Sequence, residues 1–200
     1  KRHDLYRNAS FLACHKFSFL EKLDMLSMAE PGGVFLLNST YGKDEVWNRI
    51  PVEVQKQIID KKLKFYVIDA NSLAEEVGLG GRINRVMMTA FFQISGVLPS
   101  AEAIKLIKDA NKKSYGKRGQ DIVDMNNRAV DSTVAKIERV DYPAAPRGSI
   151  RMRPPVPADA PAFVKDVLGD MIAQRGAEIP VSKLPDDGTY PTATTQYEKR

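Results

Sequence analysis

Two short runs with almost no polar interruption, Val34-Phe-Leu-Leu37 and Leu63-Lys-Phe-Tyr-Val-Ile68, constrain the fold most. A strand open to water on one side alternates apolar and polar residues, whereas a parallel strand covered by helices on both sides is apolar throughout. The first run follows Pro31-Gly32-Gly33 and ends in the polar turn Asn38-Ser-Thr-Tyr-Gly42; the second ends in Asp69. Upstream, Asn8-Ala-Ser-Phe-Leu-Ala-Cys14 has strand length, and residues 17–29 carry Phe17, Leu20, Leu23, Met25, Leu26 and Met28 at helical spacing, a helix that Pro31-Gly32-Gly33 would stop. Between the two runs, Lys43 to Ile50 reads as a short helix containing Trp47, and Pro51 opens another with Val52, Val54, Ile58 and Ile59. Strand, helix, strand, helix, strand is the grammar of an α/β fold with an open, mainly parallel sheet and flanking helices. Ligands of such sheets collect beyond the carboxyl ends of the strands, where Asn38, Ser39 and Asp69 lie.

After a short helix over residues 72–77, Gly78-Leu-Gly-Gly-Arg-Ile-Asn84 feeds a helix expected over 84–96, whose Met87, Met88, Phe91, Phe92 and Ile94 are apolar nearly all round. A glycine loop entering a helix offers free N–H groups and a positive dipole end to an anion, and Arg82 and Asn84 add a forked cation and an amide at that spot. Ser100 is placed to cap a helix over 101–115, and the turn Gly116-Lys-Arg-Gly119 leads into another over 120–138. Asn126 and Asn127 interrupt the apolar stripe of this last helix, so at least one amide faces inward and needs partners.

From Asp141 the composition changes. Most of the twelve prolines fall between Pro143 and Pro191, and only residues 161–175 keep a helical stripe, with Phe163, Val164, Val167, Leu168, Met171 and Ile172. Proline lowers the entropy lost when an extended chain is pinned down. Residues 1–140 therefore read as an α/β domain and 141–200 as a proline-rich extended arm with one helix, lying against other domains.

The net charge of +5 leaves nucleic acid, an acidic protein or a polyphosphate ligand as partners. The densest basic stretch, Lys105 to Arg118, contains Tyr115 as its only aromatic, which favours a solvated helix face over a nucleic-acid surface. No apolar stretch has the length of a membrane span. Cys14 is the single cysteine, so there is no internal disulfide and no cysteine-only metal site. His3 and His15 read as structural, and Cys14 and His15, adjacent on a strand, point to opposite faces and cannot act jointly. The acidic pairs Glu75-Glu76 and Asp186-Asp187 read as caps or solvated features. P-loop, HExxH and nucleophile-elbow motifs are all missing, so no catalytic residue and no metal ligand is assigned.

Phe11-Leu-Ala-Cys-His15, Phe17-Ser-Phe-Leu-Glu-Lys22, Pro31 to Ser39, Lys62 to Asp69, Gly80-Gly-Arg-Ile-Asn84 and Ile94-Ser-Gly-Val-Leu-Pro99 resemble the pyruvate:ferredoxin (flavodoxin) oxidoreductases, in the domain equivalent to the gamma subunit of multi-subunit 2-oxoacid oxidoreductases. Val156-Pro-Ala-Asp-Ala-Pro161, Asp187-Gly-Thr-Tyr-Pro191 and Tyr197-Glu-Lys-Arg200 are similar to the segment leading into the family's ferredoxin-like cluster domain. The resemblance implies an internal segment of a much larger, homodimeric cytoplasmic enzyme, or of one in an anaerobic organelle. Such an enzyme uses thiamine diphosphate with magnesium and iron-sulfur clusters to convert pyruvate and coenzyme A to acetyl-coenzyme A and carbon dioxide, passing electrons to ferredoxin or flavodoxin. It implies that Arg82, Asn84 and Asn126 contact coenzyme A, that this segment alone holds no thiamine or cluster, and that neither nucleic acid nor membrane is a partner. A scaffold role within the same complex is the alternative. The family's upstream glycine loop and lysine are not in this chain, and Arg85 and Arg128 depart from the family pattern without an assigned role.

Overall fold

The structure, a computed structural model, describes residues 8–198. Four strands form one sheet in the order β1 (Ala9–Cys14), β2 (Ala29–Asn38), β3 (Lys64–Ile68) and β4 (Glu138–Arg139). The first three are parallel and β4 pairs antiparallel with β3, Tyr66 opposite Arg139 and Val67 opposite Glu138. The continuous apolar runs are explained by cover on both sides. Phe35, Leu37, Phe65 and Val67 face α1 (Val52–Asp60), Trp47, Leu20 and Leu26. Leu36, Tyr66 and Ile68 face the opposite layer of α2 (Ala70–Glu76), α3 (Asn84–Ile94) and α5 (Gln120–Lys136), with α4 (Ser100–Tyr115) packed on α3 and α5.

The helix expected over residues 17–29 does not form. Two 3-10 turns, Phe17–Phe19 and Met25–Met28, stand there, and β2 already begins at Ala29. The reason is tertiary: Lys61 at the end of α1 donates its ammonium to the carbonyls of Leu26, Ser27 and Ala29 at 2.6, 2.7 and 2.9 Å, and Gln57 holds the Asp24 carboxylate at 2.6 Å. These carbonyls are therefore bound by a neighbouring helix instead of by N–H groups one turn on. Pro31-Gly32-Gly33 lies inside β2 at a register irregularity against β1. Gly32 has φ +74°, and a Cβ on Gly33 would sit 3.0 Å from both Ser10 O and Glu30 O.

The segment 43–50 is helical only as the 3-10 turn Val46–Arg49. Asp69 caps α2, accepting from Ser72 N at 3.0 Å, so that helix starts two residues early. Ser100 is not a cap; Pro99 holds the cap position and the Ser100 hydroxyl donates to Gln93 Oε1 on α3. The last helix stops at Lys136, freeing Glu138 and Arg139 for the sheet edge.

The proline-rich arm begins against the sheet domain. Tyr142 stacks on Trp47 at 5.2 Å and donates to Leu63 O, and Gln55 binds both backbone groups of Arg147. Farther on, a π-helical turn, Val164–Leu168, runs into α6 (Gly169–Ile172), and Val164 and Leu168 pack with Val156 and Ala160 as a small separate core.

Candidate functional site

The crevice at the carboxyl ends of β2 and β3, about 400 Å³ and lined by Ser39, Asp69, Ser72 and Glu138 among others, is where sheets of this kind bind ligands. Here the polar groups at and beside these strand ends serve the fold. Asn38 reaches from β2 to His15 O at 2.9 Å and accepts from Ala70 N at 2.9 Å; Ser39 closes the turn to Tyr41, and Glu138 accepts from Lys43 N. Glu76 is paired with Lys136.

A second cleft, about 310 Å³, opens at the glycine loop and is lined by Leu79, Gly81, Arg82, Ile83 and Asn84 together with Tyr115 of α4 and Asn126 of α5. Gly78 and Gly80 have φ of +86° and +59°, which a side chain resists, and this lets the loop fold back so that Leu79 N bonds Ala74 O at 2.7 Å. Arg82 anchors its Nε on Leu79 O at 2.9 Å, which leaves the outer guanidinium donors exposed. Asn84 is the first residue of α3 and is exposed; no side chain caps this end, and the N–H groups of Asn84, Arg85 and Val86 have no backbone acceptor among the described residues. Three free donors, a helix dipole and a forked cation together attract an anion.

Asn126 approaches from the other side. It is the inward-facing amide that the interrupted stripe of α5 required, 3% exposed, with Nδ2 donating to Ile122 O at 2.8 Å and Oδ1 without a donor among the described residues. The three residues singled out in the sequence, Arg82, Asn84 and Asn126, thus line a single cleft although 44 positions separate the first from the last, by subtraction of their numbers. From the sequence Arg85 has no assigned role and Tyr115 is only the lone aromatic of a basic helix; neither is placed at the cleft. The Arg85 guanidinium lies 5.5 Å from the Tyr115 ring centroid and its Nη2 is 3.5 Å from the phenol oxygen. Next to them Asn111, fully buried, donates to Asn127 Oδ1 at 3.1 Å.

Among the described residues no group of three or more histidines, cysteines or carboxylates could hold a metal ion. Cys14 is buried, and loss of solvent raises its thiol from 9.0 to about 11, the Lys16 backbone opposing only in part. This is an inert thiol. His15 is exposed, and His3 lies outside the described residues. Asp187 holds a turn, accepting from the N–H and hydroxyl of Thr189, bonds that lower its pKa. No helix among the described residues is long and apolar enough to cross a membrane.

An α/β domain with an open sheet and a glycine-loop cleft at a helix start is the class these observations define. The same fold occurs in the pyruvate oxidoreductase subunit PORC of Thermotoga maritima, with a TM-score of 0.53 at 18% identity over 68% of this chain and 67% of that one. Residues 3–136 match the family model for pyruvate ferredoxin/flavodoxin oxidoreductase, and 149–200 match a domain of unknown function. The chain belongs to the pyruvate ferredoxin/flavodoxin oxidoreductase family. It is 53% identical over 98% of its length to a putative pyruvate-flavodoxin oxidoreductase of Synechocystis sp. and 44% identical over 98% to the pyruvate:ferredoxin oxidoreductase of Moorella thermoacetica. It spans 16% and 17% of the length of those two relatives.

Proposed function

We propose that this chain is the coenzyme A-binding segment of a pyruvate:ferredoxin or flavodoxin oxidoreductase, an enzyme that oxidatively decarboxylates pyruvate to acetyl-coenzyme A and carbon dioxide. The observation that carries the reading is the convergence of Arg82, Asn84 and Asn126 on one cleft at the open end of α3. Arg82 and the free N–H groups bind phosphate oxygens, while Asn84 and the free Oδ1 of Asn126 bind donors and acceptors of the nucleoside. Thiamine diphosphate with magnesium supplies the decarboxylation and iron-sulfur clusters the electron exit, both held by other parts of a larger, homodimeric cytoplasmic enzyme. This segment contributes no bond-making group. Its residues 1–140 form the coenzyme-binding unit, and 141–200 form an arm leading toward a ferredoxin-like domain. A packing role runs beside the binding role, since Met171, Val181, Leu184 and Tyr190 expose apolar surface along that arm.

In the full-length enzyme, Asn84→Ala and Asn126→Ala are each expected to raise the coenzyme A KM roughly five- to tenfold, the loss of one or two hydrogen bonds. Reduction by pyruvate in the absence of coenzyme A should keep its rate. An unchanged KM in both variants rejects the reading.

A further inference from the structure

Of the residues lining the glycine-loop cleft, Tyr115 is the one with an aromatic ring. It is half-buried at the end of α4, facing a cleft whose other walls carry the cation of Arg82 and the amides of Asn84 and Asn126. The ring is contacted by Arg85 on the first turn of α3, whose guanidinium lies over it 5.5 Å from the centroid with Nη2 3.5 Å from the phenol oxygen. Arg85 does this at a cost, because its Nε is buried with no hydrogen-bond partner among the described residues. A leucine or methionine would fill the same space without an orphaned donor, so packing alone does not account for a guanidinium here. Fixing the Tyr115 ring does account for it. An aromatic platform already immobilised loses little freedom when a ligand arrives.

The dimensions say which part of the ligand meets that platform. A cleft of about 310 Å³ is at the small end of ligand pockets, room for a nucleoside but not for a whole coenzyme with its pantetheine arm. Phosphates belong at the glycine loop, where Arg82 and the free donors of α3 are, and the exposed Lys112, Lys117 and Arg118 lie within three residues of Tyr115 along the chain. A planar base attached to those phosphates has one apolar, flat surface to meet in this cleft. Every base has a face that stacks on such a ring.

Resting on the reading of this cleft as the coenzyme A site, we infer that Tyr115 is the platform on which the adenine base stacks and that Arg85 is the positioning residue that holds it. Arg85, left without a role by the family pattern, acquires one, and it acts through the tyrosine.

The test is calorimetric titration of the full-length enzyme with two probes, coenzyme A and 4′-phosphopantetheine, which keeps the thiol arm and a phosphate but has no base. Tyr115→Leu is expected to raise the Kd for coenzyme A on the order of tenfold and to leave that for phosphopantetheine within about twofold. Tyr115→Phe keeps the ring and should stay near the wild type for both. Arg85→Leu should weaken coenzyme A alone, by roughly threefold, and the double variant should bind no worse than Tyr115→Leu, because the arginine acts only through the ring. If Tyr115→Leu is recovered misfolded by circular dichroism, the Arg85→Leu comparison with the same two probes decides. Equal loss for both probes, or loss for neither, overturns the inference. When Asn84→Ala and Asn126→Ala weaken coenzyme A and Tyr115→Leu does not, the cleft reading stands and the base platform falls; when none of the variants matters, both fall.

Discussion

Cys14 closes β1 with no solvent exposure, and its raised pKa has two measurable consequences. Between the ordinary value of 9.0 and the folded value of about 11 the unfolded chain has released the thiol proton while the folded chain still holds it. Stability therefore stays level with respect to this group below pH 9 and falls as pH climbs toward 11. Near pH 8 a disulfide reagent should label the native thiol at least ~100-fold more slowly than the urea-unfolded one, the factor carried by two pKa units alone. Native labelling at the unfolded rate would show that β1 opens freely. Gly33 is the other residue whose chemistry is fixed by contact, with two backbone oxygens 3.0 Å from where a Cβ would be. Gly33→Ala must part β1 from β2 at the bulge, for ~1–3 kcal/mol in denaturant unfolding, whereas the equivalent change at Gly81, which has open space, has no such clash. At this scale the sequence was informative wherever a residue broke a pattern. Asn126 stood out because an amide interrupted an apolar stripe, and Arg82 and Asn84 because they followed glycines. Tyr115 broke no pattern in its basic helix, and Arg85, although it departed from the family pattern, had nothing in its own segment to give it a role; only the crossing of α3 and α4 brings the guanidinium to the ring.

The elements that were legible were those whose pattern is enforced by burial on two sides. The strands β2 and β3 showed themselves as continuous apolar runs because α1 covers one face and α2, α3 and α5 the other. Residues 17–29 had helical spacing too, yet spacing records only which side chains face inward. It cannot register that Lys61, more than thirty residues later, binds three carbonyls of that segment. Strand β4 was equally hidden: two residues, Glu138 and Arg139, carry no periodicity and pair only because the chain returns to Phe65 and Val67. Gln55 on α1 is the element-scale residue most open to test. Buried at 1% exposure, its Nε2 donates to the carbonyls of Trp47, Ile50 and Arg147 at 2.8, 3.2 and 2.8 Å, and its Oε1 accepts from Arg147 N at 2.6 Å. Gln55→Leu keeps the volume and removes every one of these bonds. The Trp47 and Ile50 carbonyls are then orphaned in the interior, for ~2–3 kcal/mol of stability, while the exposed Arg147 turns to water. Trypsin should consequently cut after Arg147 several times faster in the variant under native conditions. Equal cutting rates would mean that the arm is held by its other contacts.

For the molecule as a whole, the change in composition at Asp141 and the limit of the packed core are different boundaries. The arm up to Arg153 is tied to the α1 side of the sheet: Val140 N bonds Phe65 O, Tyr142 covers Trp47, Val52 N bonds Ile150 O, and Arg153 bonds Glu21 through both backbone and side chain. Beyond it the chain turns to its own cluster around Val164 and Leu168, which meets the rest across a cleft of about 490 Å³ between Lys22, Leu23 and residues 154–157. Proline fits this design because each extended residue it stiffens costs less entropy when laid on a surface. The length of chain that folds cooperatively should then extend well past the last helix of the sheet layer. A chain truncated after Arg153 is expected to melt within about 3 °C of the full 200 residues, whereas one truncated after Val140 exposes Trp47 and the Gln55 pocket, loses on the order of 3–5 kcal/mol, and should melt about 10 °C lower. Scanning calorimetry of the two truncations distinguishes the alternatives: if both melt like the full chain, residues 141–153 are an applied strap, and if only the shorter one drops, they are part of the core that holds α1 against the sheet and, through the sheet, sets α3 and α5 at the spacing the glycine-loop cleft requires.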